Sequence, residues 1–116
     1  MMKYIIHGKT SSDFAAAMLN KPQDRRVILD PFFERFNITV FEFLFTSGID
    51  FNFVSVVGAG EDDDVEAMVN IVYSYGNFSN ISWSKAYESD AYMNVFEKGH
   101  DKMNAYVSSM QVAGIE

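Results

Sequence analysis

The chain has 116 residues, 48% of them apolar and 16% aromatic, with eleven Phe, no Cys and a formal charge of −7. That length holds one core and not two, and that apolar content offsets the entropy of ordering the chain, so a disordered protein is excluded. The absence of Cys excludes disulfides, thiolate metal sites and Cys nucleophiles, and the acidic balance repels a phosphate backbone.

Residues 3–9 (KYIIHGK) are short and rich in β-formers, and they predict the first strand. His7 and Gly8 interrupt the apolar run there, and no small-residue cleavage pattern follows, so it does not read as a signal peptide. Ser11, Ser12 and Asp13 supply helix-capping chemistry, and residues 13–20 predict a short helix with Phe14 and Met18 four apart. Pro22 suits the first turn of a second helix over residues 23–36, which Pro31 should kink or interrupt. The basic residues of this region, Lys21, Arg25 and Arg26, have no aromatic residues interleaved, which argues against a nucleic-acid partner.

Residues 37–46 (NITVFEFLFT) give the clearest strand, and residues 51–57 return as the third after a turn at Ser47 and Gly48. Glu42, Asp50 and Asn52 break the apolar character of this stretch, so it predicts a hairpin and not a membrane span. Four carboxylates, Glu61 to Asp64, open the next helix where its dipole favours them, and Gly76 and Asn77 stop it. Residues 78–87 predict strand four, with Ile81, Trp83, Lys85 and Tyr87 on one parity. The order is then βαββαβ, two crossovers joined by a hairpin. It predicts an α+β, ferredoxin-like antiparallel sheet with two helices on one face. Residues 1–88 make that domain. Residues 89–116 add a C-terminal helix whose Tyr92, Phe96, Met103 and Tyr106 should bury on the domain or on a partner subunit, with Gly99 as its weak point.

Several short motifs recur in a recognisable order: Lys21-Pro22-Gln23-Asp24-Arg25 opening the main helix, the turn Thr46-Ser47-Gly48, the acidic start Glu61-Asp62-Asp63, and Gly76-Asn77-Phe78 leading into strand four. Over residues 3–98 the chain resembles the GYD-domain family, small dimeric α+β barrel proteins of largely undefined function. The resemblance implies a dimeric α/β barrel of ferredoxin-like type. The naming triplet is altered here to Gly48-Ile49-Asp50 or, with an extra turn residue, to a segment carrying Phe51 and Asn52. The acidic residue that the family carries at the end of strand three corresponds to Gly58.

Four residues are candidates for ligand binding: His7, Glu42, Asn52 and Trp83. His7 is the one His on a predicted central strand and is of a type that can bind a ligand or move a proton, yet a lone His with no base partner defines no reaction. Glu42 facing a barrel interior could act as a base, whereas simple alternation sends it away from Phe41 and Phe43 toward water or a partner, as a charge guarding an edge strand. Trp83 and Tyr87, and likewise Phe41, Phe43 and Phe45, would share strand faces and could line an aromatic cavity or a subunit interface. Consecutive carboxylates diverge around a helix start, so Glu61 to Asp64 are expected to hold no metal.

No catalytic order, metal-ligand spacing or phosphate-binding Gly loop occurs. The expectation is a cytoplasmic protein of bacterial type, free of cofactor, metal, nucleic acid and membrane. It would be a homodimer or higher oligomer that absorbs the excess Phe, non-enzymatic, with a small hydrophobic ligand. The alternative is a cofactor-light enzyme of the monooxygenase or isomerase type that works in an aromatic-lined cavity with His7, Glu42 and Asn52.

Overall fold

The strands β1 (Met2–Thr10), β2 (Thr39–Phe45), β3 (Phe53–Ala59) and β4 (Phe78–Ala86) hydrogen-bond in the order β2-β3-β1-β4, and every neighbouring pair is antiparallel. The computed structural model describes residues 1–115. The chain divides into a unit from Met1 to Ala86, which contains this sheet, and a second unit from Tyr87 onward. The first unit is α+β, a four-stranded antiparallel sheet with helices, and its strand order is compatible with a ferredoxin-like fold.

The first crossover differs from the pair of helices read from the sequence. It is three short helices, α1 (Ser12–Asn20), α2 (Arg25–Ile28) and α3 (Asp30–Arg35). Local chemistry explains the division. Ser11 caps α1 by accepting the Phe14 amide at 3.2 Å, and Asp24 caps α2 by accepting the Val27 amide at 3.4 Å. Pro31 falls in the first turn of α3, where a missing amide donor costs nothing, so the chain restarts a helix there instead of kinking one. The second crossover is one helix, α4 (Asp62–Ser74), which ends at Gly76 with φ +79°, a conformation that favours glycine.

Alternation along β1 sorts the sheet into two faces. Tyr4 and Ile6 are buried toward the helices with Phe53 and Val57 of β3 and with Val65, Met68 and Val69 of α4. Ile5 and His7 point the other way and are exposed.

One feature of β2 overturns simple alternation. Val40 pairs with Val57 and Glu42 with Val56, so Phe41 is an extra residue in a β-bulge. Phe41 lies on the open face under Lys3, whose Nζ is 5.0 Å from the ring centre. The expectation that Phe41, Phe43 and Phe45 share a face therefore fails, and so does the expectation that Glu42 is opposed to both flanking rings. Phe43 and Phe45 turn toward the helices, where both contact Phe53, while Phe41 and Glu42 remain on the other side.

The second unit carries α5 (Ser89–His100), a 3-10 turn over Met103–Ala105 and α6 (Ser109–Ala113). The break falls just after Gly99, where a helix interior is weakest. Tyr92 meets Tyr87 at 5.5 Å and Phe96 at 5.1 Å between ring centres, so Tyr87 belongs to this aromatic group and lies beyond the strand that carries Trp83. Among the described residues no helix is long and apolar enough to cross a membrane.

Candidate functional site

Between the helix-covered face of the sheet and the helices lies a cavity of about 520 Å³. Seven of the eleven Phe line it: Phe14 from α1, Phe32 and Phe33 from α3, Phe43 and Phe45 from β2, Phe53 from β3 and Phe78 from β4. Their rings form one connected network. Phe53 is at its centre, 5.0 Å from Phe43 and 5.3 Å from both Phe45 and Phe78, all tilted or edge-to-face. Phe14 stacks on Phe45 at 5.8 Å, and Phe33 joins Phe43 to Phe32. These are the offset arrangements that aromatic quadrupoles favour. From the other side α4 contributes Met68, Val69 and Val72.

The polar groups of the lining are few. Ser55 is buried, and its hydroxyl donates to the Glu42 carbonyl at 2.6 Å, so a carbonyl at the bulge is satisfied from inside the sheet. Among the described residues Arg25 is the one charged side chain of the lining, with Tyr75 and Asn77 as further polar groups. Among the described residues no Asp, Glu, Lys or His lines the cavity.

The sequence-derived candidates do not converge there. His7 is exposed on the open face of β1. Its Nε2 is 3.2 Å from the Ser82 hydroxyl, and its ring is 5.5 Å from that of Phe51. Glu42 is exposed on the same face but on the edge strand, with β3 between it and β1. Asn52 has a structural set of partners: its amide donates to the Thr10 hydroxyl and accepts the Thr10 backbone N–H, both at 2.9 Å. Its backbone N–H also donates to Gly8 at 3.0 Å and its carbonyl accepts from Thr46 at 2.8 Å, so it ties the start of β3 to the end of β1 and the end of β2. Trp83 is on the helix side, edge-on to Tyr4 at 5.6 Å, and its indole N–H donates to Glu66 of α4. The face that carries His7 and Glu42 and the face that carries Trp83 are thus opposite sides of one sheet.

The acidic start of α4 is partly committed to the fold. The buried Tyr4 hydroxyl donates to Asp62 Oδ1 at 2.5 Å, and Lys85 of β4 pairs with the same oxygen at 3.6 Å. Burial, then the hydrogen bond and charge of Asp62 with a further contribution from Asp64, pushes the Tyr4 phenol from 10 up to about 12. Among the described residues no three acidic or His side chains cluster as a metal site would require. At Gly58 a Cβ would run into the Met1 side chain and come within 3.1 Å of Phe41.

The site that emerges is an apolar chamber walled by aromatic rings within an α+β domain. No protein-family model, curated protein or solved structure matches the chain.

Proposed function

We propose that this chain is a ligand-binding protein that holds a small apolar molecule between its sheet and its helices, and that it self-associates through the open face of the sheet. The cavity carries this reading. Its volume of about 520 Å³ lies within the roughly 300–1,000 Å³ typical of small-molecule sites. Phe45 and Tyr75 of its lining are 48% and 78% exposed, so it opens to solvent, and an apolar guest would take the place of water on the rings. Among the described residues the lining carries no carboxylate, His or Lys to move a proton, so binding accounts for the chamber better than turnover does.

The strand order and the helix-covered face support a ferredoxin-like fold, and the motif order supports kinship with GYD-domain proteins. Self-association rests on the other face. Ile5, Phe41 and Leu44 are 37%, 47% and 50% exposed there, beside the half-buried Val54 and Val56. Two such faces packed together would make the dimeric α/β barrel type of assembly, with His7 and Glu42 at the seam. Tyr92, Phe96, Met103 and Tyr106, each at least half exposed, offer a further apolar surface to a partner subunit.

The test of the chamber is titration of the full chain with N-phenyl-1-naphthylamine, a neutral probe that fluoresces in apolar surroundings. Saturable enhancement at one probe per chain is expected. Enhancement that rises linearly without saturating, or none, would refute the reading.

A further inference from the structure

The cavity is apolar except at one charged point, and that point suggests the chemistry of its guest. Arg25 lines the chamber from α2 and is itself only partly buried, so its guanidinium stands where the chamber meets water. Among the described residues it forms no ion pair. Its neighbour Arg26 is neutralised by Asp30 one helical turn on and lies over the Phe33 ring at 5.8 Å, but Arg25 has only the neutral Gln23 side chain, which accepts from its Nη1 at 2.9 Å. That bond leaves most of the five-donor fork unused while holding the group in place.

We propose that the chamber takes an apolar monocarboxylic acid, its hydrocarbon or aryl body among the phenylalanines and its carboxylate on Arg25. The proposal rests on the ligand-binding reading above and adds the charge of the ligand to it. Two observations carry it, against the long-range repulsion of a chain whose net charge is −7. The guanidinium is the one fixed charge of the lining, and its planar donor pair matches a carboxylate in two parallel hydrogen bonds. Among the described residues no carboxylate of the lining competes for it. A neutral guest would use none of this, and a cationic one would meet Arg25 with like charge.

The experiment displaces N-phenyl-1-naphthylamine from the full chain with dodecanoate and with naphthoate, each against its uncharged alcohol, dodecanol or naphthylmethanol. A charge-assisted hydrogen bond in a partly desolvated setting predicts that the acids compete about 10-fold or more better than the alcohols. Arg25→Gln should erase that preference while leaving the affinity for the alcohols within about two-fold. Arg35→Gln, which makes the same change in net charge on the exposed side of α3, should retain it. Acids and alcohols that compete equally, or a preference that survives Arg25→Gln, would overturn the assignment of the carboxylate and leave the chamber standing. Failure of the probe itself to bind in a saturable way would overturn both.

Discussion

Filling the cavity from α4 tests its existence by the sign of a stability change. Val72 lines the chamber from that helix and is half-buried. Val72→Phe adds four carbons at a site where Val and Phe have nearly the same helix propensity, so the α4 backbone should be indifferent. At about 0.8 kcal/mol per methylene-sized group, complete burial of the added carbons gives a ceiling of roughly 3 kcal/mol. Lost rotamer freedom and imperfect fit reduce this to about 1 kcal/mol of net stabilisation, the range in which cavity-filling substitutions commonly fall. For a unit of this size that is a rise of about 4–8 °C in Tm. Calorimetry and urea unfolding read it directly, and the variant should also lose most of its affinity for the naphthylamine probe. A well-packed site would respond oppositely, because an inserted ring would cost about 1–3 kcal/mol in strain. A fall in Tm with probe binding unchanged would mean that the helices close over the sheet, and it would refute the chamber.

Tyr4→Phe should alter the alkaline stability profile. The native phenol holds its proton to about pH 12, whereas an unfolded one releases it near 10, so its contribution is full below pH 10 and is lost as pH rises to 12. The urea midpoint of the native chain should fall more steeply across that window than that of the variant, and parallel profiles would contradict the burial of the phenol beside Asp62. Gly8→Ala places a Cβ 2.7 Å from the Asn80 backbone oxygen and 3.3 Å from the Ile81 Cα, contacts that cannot relax without parting β1 from β4. It should cost about 1–3 kcal/mol in urea unfolding, and a neutral result would mean that the two strands are further apart than described. Leu44→Glu puts a charge on the open face of β2, and light scattering at micromolar concentration should show a native dimer reduced to a monomer. A native monomer, or a variant that stays dimeric, would remove that face as the interface.

The elements were legible because local chemistry and tertiary packing agree along most of the chain. Strand alternation placed Ile81 and Trp83 together, and both partly buried side chains pack against the core. Pro31 and Gly99 marked real discontinuities, since each acts through the backbone and needs no partner to be read. What failed was parity through β2. A bulge inserts one residue without changing composition, and nothing in the run Val40-Phe41-Glu42-Phe43 announces which residue is the extra one. The cause is the partner strand: Val57 and Val56 set the register, and the buried Ser55 hydroxyl accommodates the bulge by taking up the Glu42 carbonyl.

The chamber was hidden for a different reason. Its walls are seven phenylalanines drawn from five elements, α1, α3, β2, β3 and β4, and each alone reads as ordinary core. The excess of Phe is visible in the composition, where it fits a subunit interface or an aromatic-lined cavity equally well. Polar residues drew attention as candidates because they carry chemistry, yet His7 and Glu42 turn to the open face and Asn52 is consumed in joining strands. A count by face separates the two possibilities. Phe43, Phe45, Phe53 and Phe78 all belong to the helix-covered side, while Phe41 stands with Lys3 on the other. The helices opposite those four rings are short on the β2 side, where α2 and α3 have four and six residues against thirteen in α4. Short helices present little surface to a wide aromatic face. The space left over is the chamber, and Pro31, which starts α3 anew just after α2, keeps both helices short.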